Sequence, residues 1–170
     1  MDFPHRFKRL VGSEPKEGPL VTPEALAVHL EIVANSYRDW MGVDLVSPRS
    51  SATKLVSDLR DAPFALVSHG VEADPVLNYG NGKALELWEM TWEELTKTPS
   101  RLTAEAPNRE ERARLLDEVT RHGFIRNYSG IRVSKSGRRF RIEGATVWNL
   151  LDAQGGYCGQ AAAFSRWVYL

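Results

Sequence analysis

The chain has 170 residues, 42% of them apolar, with 22 Lys and Arg set against 22 Asp and Glu. That is globular material for one filled core, and zero net charge leaves no overall field to draw the chain to nucleic acid or an anionic membrane. No window reaches the roughly 18 to 20 consecutive apolar residues of a membrane span, and the single Cys158 excludes an internal disulfide and fits a reducing, cytoplasmic setting.

Residues 1–21 read as a flexible tail: MDFPHRFKRLVGSEPKEGP is charged, is punctuated by Pro and Gly, and lacks the apolar run of a signal peptide. Thr22-Pro23-Glu24 then opens a helix, with a side-chain cap, a proline at the first helical position and an acid at the positive end of the dipole. Leu26, Leu30, Val33, Tyr37 and Trp40 fall on one stripe of that helix before Gly42 ends it. Ser51 to Arg60 is a second, shorter helix carrying Leu55, Val56 and Leu59, stopped before Pro63. Residues 22–62 therefore form an N-terminal helical cap that must lie on something.

From 63 to 170 the pattern changes. PFALVSHG and PVLNY are short strands joined by the polar turn GVEAD, a hairpin. Asn81 caps a helix whose Leu85 and Trp88 share a face, and Thr91-Trp92-Glu93-Glu94 has the spacing of a capping box. Asn108-Arg109-Glu110-Glu111 repeats the start signal for a helix through Leu115, Leu116 and Val119 to His122, with Gly123 as its left-handed end. FIRNYSGIRVS, RRFRIEGATVWNLL and YCGQAAAFSRWVY close the chain as three strands separated by KSG and DAQGG. Consecutive strands with tight turns pair antiparallel. The expected fold is α+β, with one five-stranded antiparallel sheet, a helical crossover and N-terminal helices.

In the middle closing strand Phe140, Ile142, Thr146 and Trp148 alternate on one face, while Ala145, Val147 and Leu151 lie on the other, so both faces need cover. The crossover helices cover one of them. The stripe Leu26, Leu30, Val33, Tyr37 and Trp40 is the candidate cover for the other, as a lid on its own sheet or as the interface of a homodimer. The dimer is the favoured expectation, and with it a folded monomer on Val33→Asp.

The order hairpin, N-x-x-A-L-E-L-W with T-W-E-E-L behind it, strand-K-x-G-strand and strand-D-x-x-G-strand resembles the PAS pattern. The long strings SHGVEADPVLNYGN and GRRFRIEGATVWN are more specific, and over about Leu26 to Trp167 the chain resembles the MEKHLA domain. That family is related to PAS folds and occurs as stand-alone bacterial proteins and at the C-terminus of plant class III homeodomain-leucine-zipper factors. The resemblance implies helices on a five-stranded sheet around a small volume where relatives of the fold hold ligands, and a sensory or regulatory role. It names no cofactor.

Chemical motifs are sparse. GNGK at 80–83 lacks the glycine a phosphate loop needs, at Leu77, and Ala84 stands where Ser or Thr would bind magnesium, so Asn81 and its flanking glycines read as a joint. His5, His29, His69 and His122 are scattered without a second ligand at metal spacing. Among PAS chemistries, an axial haem ligand has only His122 as a helical candidate in the crossover, and light-sensing flavin chemistry needs a cysteine there, whereas Cys158 is on the last strand. Ser68-His69 and Ser129-Gly130 form no nucleophile elbow. Glu72, Asp74 or Glu143 beside His69 is the alternative reading, a small cavity enzyme of hydrolase or isomerase type; no catalytic constellation supports it.

The remaining candidates are polar groups on core elements: His69, Asn78, Tyr79, Asn81, Trp88, Trp148 and Asn149, facing a small-molecule ligand or tying strand ends. Arg132, Lys135, Arg138, Arg139 and Arg141 form one basic cluster, read as a guarded sheet edge rather than a nucleic-acid site, since Phe140 alone interleaves them. The expectation is a cytoplasmic PAS-like sensor, not an enzyme, that binds a small molecule in its core or works by dimerisation.

Overall fold

The structure, a computed structural model, describes residues 20, 22–46 and 51–170; apart from Leu20, the expected tail lies outside the described residues. Helix α1 (Pro23–Met41) starts where Thr22 accepts the Ala25 N–H at 3.1 Å and ends where Gly42 turns left-handed at φ 74°. Helix α2 (Ala52–Arg60) is capped by Ser51. Strands β1 (Ala65–His69) and β2 (Leu77–Gly80) form the antiparallel hairpin. The crossover follows as α3 (Gly82–Trp88), α4 (Trp92–Leu95), a 3-10 turn (Ser100–Thr103) and α5 (Ala106–His122).

Asn81 caps α3, and Thr91 and Glu94 exchange both bonds of the capping box. The start of α5 differs from expectation. It lies at Ala106 rather than after Asn108, because Pro107 in the first turn has φ already set for a helix and needs no partner for an N–H.

Strands β3 (Phe124–Val133), β4 (Arg139–Leu151), β5 (Tyr157–Phe164) and β6 (Arg166–Tyr169) complete one antiparallel sheet in the order β2-β1-β5-β4-β3, with β6 also on β4. The sheet has six strands, not five, because the last expected strand breaks at Ser165. Thr146 pairs with Ala163 before the break and Glu143 with Arg166 after it, so the register is unchanged and only the step carrying the Ala145–Phe164 and Gly144–Ser165 pairings is lost. Gly144 sits at φ 65°, a conformation that costs glycine little and other residues more.

That step flips the strand's faces. Phe140 and Ile142 pack with Ala145, Phe164 and Trp88, while Trp148 packs on the opposite side. The expectation that Phe140 and Ile142 share a face with Trp148 fails there, since alternation survives only while every residue is extended.

Helices α1 and α2 cover the outer face: Leu30, Val33, Leu55 and Leu59 close over Leu66, Tyr79, Trp148 and Leu150. Tyr37 meets Trp148 edge-on at 4.9 Å, Trp40 donates its indole N–H to the Asn149 carbonyl at 3.0 Å, and Leu26 packs at the margin. The whole stripe is thus a lid on its own sheet. Val33 has no exposed surface, so Val33→Asp strikes the core instead of releasing a partner. On the inner face, α3 packs against Phe140, Ile142 and Phe164, and α5 lays Leu115 and Val119 on Val147. No helix among the described residues is long and apolar enough to cross a membrane.

Candidate functional site

The inner face does not close completely. Between the sheet, α3, the 3-10 turn and α5 lies a cavity of about 60 Å³, walled by apolar side chains including Val67, Leu77, Leu115, Ile142, Val147 and Phe164. A water needs roughly 10–15 Å³ by this kind of measure, so the space suits a few waters or one short organic group. Into these walls are set His69, Trp88, Arg112, Arg132, Tyr128 and Gln160, with no carboxylate among the lining residues.

Their bonding is unequal. His69, the last residue of β1 and 7% exposed, has Nδ1 at 2.9 Å from the Gly70 carbonyl. Nδ1 therefore carries the proton and donates, which leaves Nε2 of the neutral ring as an acceptor; Nε2 is sealed from solvent with no partner. Burial, with the positive charge of Arg112, lowers the His69 pKa and favours the neutral ring, against opposing pulls from the Gly70 carbonyl, Glu72 and Gln160. Gln160 lies outside hydrogen-bond geometry to Nε2. Trp88 ends α3 at 3% exposure, edge-on to Phe140 at 5.3 Å and Phe164 at 6.0 Å, and its indole N–H also has no acceptor.

The two arginines differ in the same way. Arg132, on β3 and 7% exposed, donates to the Tyr128 hydroxyl at 3.2 Å and to the Ile131 carbonyl at 2.8 Å, with its guanidinium 5.5 Å from the Tyr128 ring centre. Arg112 of α5 has no hydrogen-bond acceptor among the described residues. Burial, and then the like charge of Arg132, push its pKa down to about 10, so it stays charged. Gln160 braces β5 against α5, donating to the Leu116 carbonyl at 3.0 Å and to Asn149 Oδ1 at 3.1 Å.

The MEKHLA domain matches residues 27–169. The chain belongs to the MEKHLA domain family. It is 25% identical over 153 residues to the homeobox-leucine zipper protein ATHB-15 of Arabidopsis thaliana, and 26% over 155 residues to HOX29 of Oryza sativa subsp. indica. Those matches cover 89% and 88% of this chain but 18% of each plant protein, so the chain spans under a fifth of these relatives' length. Among solved structures, it is similar to an RNA-binding light-oxygen-voltage receptor, with TM-score 0.60 and 18% identity over 73% of this chain and 36% of that one. The PAS domain of a protein from Colwellia psychrerythraea gives TM-score 0.57 and 12% identity over 65% of this chain and 92% of that one. At these identities the structural likeness establishes the PAS fold.

A flavin, which light-sensing members of the fold imply, does not fit this MEKHLA domain. The cavity lacks room for three fused rings. Cys158 packs against the outer-face cluster instead of lining it, and burial pushes its thiol pKa up to about 11. Among the described residues no three His, Cys, Asp or Glu side chains are grouped to hold a metal ion.

Of the residues singled out in the sequence, the structure brings His69 and Trp88 together at the cavity. The other five do not line it. Asn78 accepts from Ser68 Oγ at 2.6 Å, and Ser68 Oγ in turn lies 2.8 Å from His29 Nε2, a relay from α1 to β2. Tyr79 sits in the outer core with its ring 5.8 Å from Trp92, and burial raises its phenol pKa. Asn81 accepts from Leu66 N and Ala84 N and donates to Leu59 O and Phe64 O. Trp148 donates to the Val33 carbonyl at 3.3 Å, and Asn149 to the Thr120 carbonyl at 3.2 Å. Glu72 is exposed, while Asp74 pairs with Arg101 at 3.1 Å and Glu143 with Arg141 at 3.0 Å, and none of the three lines the cavity.

The basic cluster is not one patch. Lys135 pairs with Glu94, Arg139 with Glu105 and Arg141 with Glu143; Arg138 lies over the Tyr169 ring, and Arg132 turns inward. Reading the sequence missed Arg112, Arg132 and Gln160 as cavity residues. For Arg112 a signal was present: it stands three residues before Leu115 and seven before Val119, on the apolar face of α5.

Proposed function

We propose that this MEKHLA domain is a sensory or regulatory module whose input is a small molecule held in the inner cavity. Family and fold support the sensory role. The observation that supports a ligand is that two polar atoms, His69 Nε2 and Trp88 Nε1, are sealed from water without partners at the wall of one cavity. Native buried polar groups are paired in the great majority, and unpaired ones clustered at a space mark where a missing group completes them. The ligand reading is tested by comparing native with denatured mass of the purified domain and of Ala162→Ile, which adds bulk to the cavity wall. A compound carried by the native protein and lost in the variant supports it; matching native and denatured masses for the natural domain argue against it.

The PAS-like fold favours binding over catalysis, and the carboxylates that an acid/base enzyme would need stand away from the cavity. A homodimer draws no support from the α1 stripe, which its own sheet already covers. For location we retain the cytoplasm, on the ground of the single unpaired cysteine.

A further inference from the structure

Building on the cavity as the ligand site, we infer that its ligand is a small organic anion, a monocarboxylate with a short apolar body, whose charge lies against Arg112 and Arg132. Two guanidinium groups reach one small cavity, from α5 and from β3, and each raises the cost of the other's charge. No lining carboxylate neutralises them. Arginine cannot shed its charge to escape the cost, as a buried lysine or histidine does. Arg132 is buried and Arg112 half-buried, so water hydrates their charge only in part, and no counter-charge stands among the chain's own lining residues.

The donor geometry narrows the class. Arg132 is fixed by Tyr128 and the Ile131 carbonyl, whereas Arg112 has its fork uncommitted among the described residues, and a planar fork matches the two oxygens of a carboxylate. The Trp88 indole N–H supplies one more donor to an anion. His69 Nε2 is the one bare acceptor, placed for a ligand hydroxyl or N–H. A cation would meet two positive charges. The remaining wall, Val67, Ile142, Val147 and Phe164, is apolar, and the volume limits the body to a short chain or a single ring.

The test uses sodium benzoate, its neutral counterpart benzamide, and sodium chloride at matched ionic strength, read by melting temperature and by titration calorimetry on the natural domain and Arg112→Met. Benzoate is expected to stabilise saturably and to bind at least tenfold more tightly than benzamide. Arg112→Met is expected to erase that preference. Because the substitution removes an unpaired charge, the ligand-free variant should melt no lower than the natural domain, which separates lost binding from lost folding. Benzamide binding as well as benzoate would overturn the anion and leave the cavity reading standing. Binding of neither would overturn the anion too, and the native-mass comparison then decides the cavity reading separately. Identification of a carried compound as uncharged would also overturn it.

Discussion

The two faces of this sheet are built from similar residues and bonded differently. Under α1, Trp148 and Trp40 donate to the Val33 and Asn149 carbonyls, Ser36 Oγ accepts from Leu151 N at 2.9 Å, and His29 joins Ser68 and Asn78 in a relay. On the opposite face Trp88 and His69 are as deeply buried, yet an N–H and a ring nitrogen find nothing. The outer face is complete within the chain and acts as scaffold. The inner face leaves two buried polar atoms without a partner among the described residues, and both belong to side chains that line the cavity.

Breaking the scaffold should therefore cost most. Trp148→Ala removes a side chain with no exposed surface from the centre of the outer core and is expected to destabilise the domain by about 3–5 kcal/mol in urea unfolding. A loss below about 1 kcal/mol would mean that the face is not the packed scaffold described.

Acid should act on the same face. Burial lowers the His29 pKa to about 4 from an ordinary 6.5. Ser68 Oγ gives its one hydrogen to Asn78, so His29 Nε2 must donate to it, which the neutral ring does. The unfolded chain then binds more protons than the fold between these values. Stability is fully present above about pH 6.5 and falls as the pH drops toward 4, by roughly 3 kcal/mol at most from this group. His29→Gln should flatten the fall, leaving the smaller share of His69, which is shifted in the same direction. An unchanged slope of stability against pH would remove His29 from the scaffold.

The smallest effect is expected across the sheet. Trp88→Phe keeps an aromatic ring against Phe140 and Phe164 and deletes the orphan N–H together with the rest of the five-membered ring, so relief of the orphan offsets part of the cavity cost and the loss should stay within about 2 kcal/mol. A loss approaching that of Trp148→Ala would mean that Trp88 is scaffold as well.

Much of the fold is legible in the chain because its signals are local. Thr22-Pro23, Asn81, Thr91 with Glu94, and Gly123 mark helix ends through bonds made within a few residues. The face flip at Gly144 is a single backbone event, and the alternating pattern of RFRIEGATVWN runs past it without a mark. At the site the difficulty is distance. Trp148 and Trp88 look alike in sequence, but the acceptor that satisfies Trp148 lies 115 residues away at Val33, and the lack of one for Trp88 depends on the assembled inner face. Arg112 is hidden differently: in NREERARLL it resembles the solvated charges around it, and only its step to Leu115 and Val119 sets it on the buried side.

The most direct measurement follows the indole N–H signals of the five tryptophans in a nitrogen-15 spectrum, assigned with Trp88→Phe and Trp148→Phe, while benzoate and benzamide are added in turn. If the inner cavity is the ligand site, the Trp88 signal shifts saturably while those of Trp40 and Trp148, already bonded to backbone carbonyls, stay in place. A Trp88 signal fixed at saturating concentrations of both compounds, or movement confined to Trp40 and Trp148, would contradict it.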